Sequence, residues 1–183
     1  SKEVSDDLQT KLLLYRLRAK VDIIETNISV STGIDNPPIG AFKDPRHEAL
    51  GWRSYENSSI NQGIDWKKLR VAYGIPETNI ELIRDKTYIL EAGFEKLNGV
   101  DFKKGCYVGQ EITARMKHKT TLRKGLIKVS VIGETPVGTE ILADGRPAGV
   151  LYSQSGGYGL AFLKLDRASP KMKAGEATVI IEN

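Results

Sequence analysis

Residues 102–118 read F-K-K-G-C-Y-V-G-Q-E-I-T-A-R-M-K-H and hold the only cysteine of the chain, Cys106. Lys103 and Lys104 stand beside it, and the spacing predicts a short helix over 109–117 whose N-terminal N–H groups would point back toward the thiol. Both features favour the thiolate, the form that acts as nucleophile or metal ligand. Gly105 and Gly109 permit unusual backbone angles and close ligand approach, so the same loop can form a small anion-binding nest. The other role open to a free cysteine is that of a small buried hydrophobe, and at this level both stand.

One thiol excludes an internal disulfide and cannot supply the roughly four ligands of a structural zinc site or an iron–sulfur cluster. The two histidines, His47 and His118, are not spaced as a metal-binding pair, so no metal is expected. His118 is expected at the helix end facing water; a Cys106–His118 dyad would require a contact in space that sequence separation does not show. No phosphate-binding glycine loop, zinc-protease helix or serine-hydrolase elbow is present.

The charge is unevenly placed. Residues 103–128 carry eight Lys or Arg against the single acid Glu111, a local +7 in a chain of net +4. Such a patch suits an anionic ligand, a polyglutamate tail, a phosphate or an RNA backbone, and equally serves as a solvated face. With 40% hydrophobic and 27% charged residues among 183, the composition supports one large core or two small ones. No stretch approaches the roughly 18 uninterrupted apolar residues of a membrane span, so no membrane partner is expected. The lone cysteine and the lack of a visible signal peptide point to a reducing cytoplasm. The opening S-K-E-V-S-D-D has no initiator methionine, as expected of a chain that starts inside a longer gene product or after processing.

The elements that must position this loop can be read from periodicity. Ser5 with Asp6 and Asp7 predicts a helix start, and Leu8, Leu12, Tyr15 and Ala19 predict an amphipathic helix over 6–19. Alternation of Val21, Ile23, Ile28 and Val30 predicts a half-buried strand, followed by a turn-rich loop, T-G-I-D-N-P-P-I-G. A second strand is expected over 45–55, then a helix ending at Gly74 before Pro76, and an extended segment over 86–94. After Thr120 five short strand-like runs follow, joined by turn signals at Asp144-Gly145 and Gly156-Gly157. The prediction is an α+β fold: an α+β domain over 1–119 and a small antiparallel β-barrel over 120–183, with the boundary near 119–122.

K-G-C-Y-V-G-Q-E followed by A-R, at 104–115, resembles the signature of the YgfZ-type folate-binding proteins of iron–sulfur cluster assembly or repair, relatives of the glycine-cleavage T-protein, an aminomethyltransferase. L-L-L-Y-R-L-R-A-K-V, D-P-R, L-G-W-R, G-I-P-E and L-E-A-G-F-E-K-L-N-G-V-D-F follow in that family's order, so the resemblance spans essentially the whole chain. It implies ferredoxin-like α+β units and a six-stranded C-terminal barrel around a folate channel. It also implies about a hundred further residues ahead of the first helix, a missing N-terminal segment of the same gene product that would act as a partner of this chain.

Carried over by position, Lys104, Gly105, Cys106, Tyr107, Gly109, Gln110, Glu111 and Arg115 fall on the family motif, with Cys106 as the functional thiol. Trp52, Arg53, Glu91, Tyr107 and Gln110 become candidates for binding tetrahydrofolate or a folate derivative. A carboxylate accepts hydrogen bonds from pterin N–H groups and an aromatic ring stacks on the pterin, although Trp52 serves equally well as core packing. The implied function is tetrahydrofolate binding in iron–sulfur cluster assembly, with assembly or client proteins as partners and indirect effects on tRNA modification through iron–sulfur enzymes. Two alternatives remain. One is a folate-dependent aminomethyltransferase, whose family uses an acidic residue of the absent N-terminal region. The other is an RNA-binding module built on the barrel and basic patch, which is less favoured because no strand interleaves basic and aromatic residues. Whether the protein is an enzyme, a transferase in that case, stays open.

Overall fold

The computed structural model describes residues 4–55, 63–119 and 121–182. Helix α1 spans Ser5–Arg16, and a three-stranded antiparallel sheet is built from β1 (Ser31–Gly33), β2 (Phe42–Lys43) and β3 (Trp52–Ser54) in the order β1-β3-β2. Helices α2 (Trp66–Tyr73) and α3 (Gln110–Lys119) follow. Strands β4 (Lys124–Ile132), β5 (Thr139–Ala143), β6 (Arg146–Ser155), β7 (Tyr158–Lys164), β8 (Lys171–Ala174) and β9 (Ala177–Ile180) close an antiparallel barrel in the order β4-β7-β6-β5-β8-β9. The α+β class with a small C-terminal barrel is therefore observed. Thr120, inside the expected boundary, lies outside the described residues.

The barrel closes because inward positions alternate along each strand. Val129 and Val131 of β4, Ile141 of β5, Leu151 of β6, Leu163 of β7 and Val179 of β9 meet in one buried cluster. Each such side chain, taken fully out of water, contributes about 1.5–3 kcal/mol before entropy is charged against it. Asp144 and Gly145 (φ 48° and 76°) and Gly156 and Gly157 (φ 61° and 79°) make the left-handed two-residue turns that the dipeptides announce. Strand β8 is the one the sequence reading passes over. In K-M-K-A only Met172 and Ala174 point inward, too little alternation to stand out from a loop.

Other expectations are corrected. Residues 21–30 form no strand: among the described residues they have no ladder partner, and side chains of α1 hold them, with Gln9 Nε2 donating to Ile23 O at 2.9 Å and Arg16 Nη1 to Val21 O at 3.2 Å. Alternation without a neighbouring edge does not make a sheet. Helix α1 stops at Arg16 because Leu17 takes a positive φ of 49°, and its N-cap is Val4 rather than Ser5. Its apolar residues Leu8, Leu12, Leu13, Leu14 and Tyr15 are all exposed. The strand expected over 45–55 is confined to β3, preceded by a single 3-10 turn at Glu48–Leu50. Residues 86–94 are a run of tight turns, closed by Ala92 N to Tyr88 O and Phe94 N to Ile89 O, not an extended segment.

Helix α2 behaves as its sequence demands. Asp65 caps it by accepting from Lys68 N at 2.8 Å, and Gly74 ends it in the left-handed region at φ 69°. The helix lies against β6 and β7, and a buried network fixes it there. The Glu81 side chain is fully buried; its Oε2 accepts from Glu77 N at 2.9 Å and Arg70 Nη1 at 3.4 Å, and its Oε1 accepts from Ser153 N at 3.2 Å. Arg70 also reaches Glu77 at 2.6 Å, Ile75 O at 2.9 Å and the Ser153 hydroxyl at 3.3 Å. Ser153 N–H is free for this because β6 bulges between Leu151 and Gln154, where register with β7 shifts.

Stranding a buried carboxylate costs roughly 3–5 kcal/mol. Arg70→Met should lose about that much in urea unfolding, and adding Glu81→Gln should recover part of the loss because no buried charge is then left without its partner, Glu77 being half in water. A double variant as unstable as Arg70→Met would mean that packing, not charge, dominates. Gly51 (φ 63°) brings β3 so close to β1 that a Cβ would lie 2.0 Å from Gly33 O, so Gly51→Ala should lower the melting temperature sharply.

Candidate functional site

Asp101 opens the cysteine loop by accepting from Lys103 N at 2.7 Å, and Gly109, at φ 86°, closes it into α3. Thr113, buried, donates its hydroxyl to Gly109 O at 3.1 Å and locks the first turn of α3. Between these anchors Cys106 is exposed, which removes the buried-hydrophobe role. Lys104 Nζ sits 5.2 Å from the centre of the Tyr107 ring, a cation–π contact that keeps an ammonium group beside the thiol's neighbour. Gln110 is half-buried; Gly105, Glu111 and Arg115 are exposed.

The far end of α3 is tied down by Lys117, whose Nζ lies 2.5 and 2.8 Å from the two Glu95 carboxylate oxygens and 5.4 Å from the Phe102 ring centre. His118 packs edge-on against Phe102 at 6.2 Å and, among the described residues, makes no hydrogen bond with Cys106. The dyad is therefore not formed. His47 is likewise occupied structurally: its Nδ1 accepts from Ala49 N at 3.1 Å and its ring lies 4.6 Å from that of Tyr73.

The turn run that carries Glu95 also carries Glu91, four residues earlier and on the barrel side. Glu91 O accepts from Leu126 N of β4 at 2.7 Å, which pins the run to the barrel. Glu91 lines an open groove of about 630 Å³ between the end of α2 and β4, with Tyr73, Lys96, Lys124, Leu126 and Lys128 among its walls. Burial raises the Glu91 carboxyl above its ordinary value, and the charge of Lys124 acts in the opposite sense without cancelling it. The groove thus combines a hydrogen-bonding carboxyl, an aromatic wall and a cationic edge.

The remaining candidates sit elsewhere. Trp52 is 2% exposed in the sheet interior, and its indole N–H is buried without an acceptor among the described residues. Arg53 is held at 3.4 Å by Asp44, whose buried carboxylate is chiefly bound by Arg46 at 2.9 and 2.7 Å, with Arg46 N donating at 3.0 Å. The Arg46 hydrogen bonds, against the opposing effect of burial, hold Asp44 below the usual carboxylate range. The groove that Glu91 lines includes neither Trp52, Arg53, Tyr107 nor Gln110. The residues that matter here and were missed are Asp44, Arg46, Arg70 and Glu81. For Asp44 a signal existed, since D-P-R two residues apart is the spacing at which an Asp side chain bonds the backbone N–H ahead of it. For Glu81 there was none.

The raised Glu91 carboxyl yields a pH test. A carboxyl whose folded value exceeds its unfolded value favours the protonated native state, so its contribution is greatest in acid and is lost as pH rises through the folded value. Glu91→Gln removes that dependence. The melting temperature of the variant relative to wild type should therefore climb as pH rises above the ordinary glutamate range, and a flat difference would place the carboxyl in water.

Residues 123–182, the barrel, match the family described as CAF17, C-terminal beta-barrel domain. The chain is 32% identical over 191 residues to the human mitochondrial iron–sulfur cluster assembly factor IBA57, covering 87% of this chain and 54% of that protein. It is 33% identical over 139 residues to the Mus musculus protein of the same name, covering 67% and 39%, and 34% identical over 132 residues to a homologue from Neosartorya fischeri, covering 60% and 30%. The chain spans about half the length of the human relative and less of the others. These relatives are mitochondrial, which overturns the cytoplasmic expectation; compartment is written in targeting segments, not in cysteine count or core composition. The chain is thus similar to mitochondrial iron–sulfur cluster assembly factors over part of their length, and its residues 123–182 are similar to the C-terminal beta-barrel domain of CAF17.

Proposed function

We propose that this protein binds tetrahydrofolate, or a derivative of it, and serves in mitochondrial iron–sulfur cluster assembly, with Cys106 as its functional thiol. The observation that carries this reading is the single turn run, 88–99, that holds Glu91 in the groove on one side and, through Glu95 and Lys117, fixes the Cys106 helix on the other. The names of the relatives support the assembly role, and the groove chemistry supports the folate.

The residues present fit a pterin in kind. Glu91 supplies the acceptor for its amino and ring N–H groups, Tyr73 an aromatic wall, and Lys96, Lys124 and Lys128 the cations that an anionic glutamyl tail needs. Bound tetrahydrofolate would supply one-carbon chemistry at its N5 and N10 nitrogens. The chain's part is to orient the pterin through Glu91 and to shield it between α2 and β4. Arg53 is held by Asp44 and Trp52 is buried in the sheet, both outside the groove, whereas Tyr107 and Gln110 belong to the cysteine loop.

An exposed thiol beside lysines suits a transient bond: a mixed disulfide, or one ligand of a cluster completed by a partner's cysteines. The partners in this reading are assembly or client proteins, and tRNA thiolation is affected only through the iron–sulfur enzymes that perform it. Anaerobic calorimetric titration of tetrahydrofolate tests the site. Wild type and Cys106→Ala should bind equally, and Glu91→Gln should bind about tenfold more weakly, the worth of one hydrogen bond to a charged or polarised group. Absence of saturable binding in folded wild-type protein would sink the folate reading.

A further inference from the structure

A second recess lies on the outer wall of the barrel, about 260 Å³ in volume, closed on one side by the turn at 83–87. Tyr152 and Phe162 line it together with Lys86, Lys124 and Lys164, and Glu140 is the one acid among its walls. Lys124 of β4 and Lys164 of β7 are direct cross-strand partners. Side chains so paired lie about 5 Å apart, and like charges in that position are destabilising. A barrel that needed these positions only for solubility would be expected to alternate the signs.

Four further observations point to the recess. Among the described residues neither Lys86 nor Lys164 forms an ion pair, and the Tyr152 hydroxyl makes no hydrogen bond. Burial, with the Glu81 charge behind it, raises the Tyr152 hydroxyl above its ordinary value and keeps it a donor. Lys86 is held over the recess by a rigid turn, since Thr87 Oγ1 accepts from Ile83 N at 2.9 Å and donates to Glu81 O at 3.2 Å. Tyr152 itself falls in the β6 bulge, the usual device for re-aiming a side chain out of a ladder.

We propose that this recess is a binding site for a small organic dianion, a phosphate ester or a dicarboxylate, carried on an aromatic body. The lysine ammonium groups take the anion as point charges, with Tyr152 donating to it, and the ring lies on Phe162. Three lysines against one carboxylate leave a local excess of positive charge that a dianion neutralises, and its arrival relieves the Lys124–Lys164 repulsion. The site does not depend on the folate reading: Lys86, Lys164, Tyr152 and Phe162 lie outside the Glu91 groove, and Lys124 alone lines both.

The test is titration of the protein with phenyl phosphate, phthalate and inorganic phosphate, read by amide chemical-shift changes. Phenyl phosphate or phthalate should move amides of residues 150–152 and 162–164, and whichever binds more tightly identifies the acid group. Inorganic phosphate, lacking the ring, should bind at least fivefold more weakly. Lys164→Gln, which removes a like-charge pair and so should fold normally, should weaken the preferred ligand about tenfold while leaving tetrahydrofolate binding unchanged. Equal binding by Lys164→Gln and wild type, equal binding of inorganic phosphate and phenyl phosphate, or shifts scattered over lysines across the surface would each overturn the proposal.

Discussion

The buried carboxylate of Glu81 is the constraint on which the arrangement of this protein depends. Removed from water, it must be met by donors, and it draws them from three parts of the chain: Arg70 on α2, Glu77 N in the loop after it, and Ser153 N in the bulge of β6. Replacing such a cluster with apolar residues could leave stability unchanged; what the polar version adds is a fixed orientation, since the donors are satisfied in one arrangement only. The bulge and the carboxylate need each other. Without the bulge Ser153 N would pair within the sheet, and without Glu81 the bulge would leave a buried N–H with no acceptor.

Function inherits that orientation. The end of α2 forms one wall of the Glu91 groove, and the turn that follows Glu81 carries Lys86 to the edge of the second recess, so both cavities are referenced to one anchor. The turn run at 88–99 then distributes the geometry outward. Its backbone joins β4 at Leu126, Glu91 faces the groove, and Glu95 captures Lys117 of α3. A helix or strand in this place would present one face; consecutive tight turns let residues four apart serve two neighbours.

The cysteine loop shows the opposite strategy. Its thiol is exposed, and its rigidity comes from both ends: Asp101 and Gly109 shape the loop, while Thr113 and Lys117 hold the helix. A thiol on such a mount stays accessible to a partner while the backbone around it keeps its form. The Asp44 cluster does similar work on the sheet, where Arg46 saturates most of the buried carboxylate and Arg53 is held by what remains.

Much of this was legible in the residues. The barrel turns follow from Asp144-Gly145 and Gly156-Gly157, the end of α2 from Gly74, and α3 from the pattern after Gly109, because each depends on local backbone preference. The motif around Cys106 and the acid at 91 were likewise visible as chemistry. What local preference could not reach was settled by distant partners. Residues 21–30 alternate like a strand yet find no edge, 86–94 fold into turns against the barrel, and K-M-K-A becomes β8 only because β5 and β9 leave a gap for it. Exposure of Cys106, burial of Trp52 and pairing of Glu81 with a bulge 72 residues away were decided by tertiary packing. The sequence alone determined the local turns, caps and chemical types; the tertiary structure decided which polar groups share a buried space, because that depends on contacts whose separation along the chain carries no local signal.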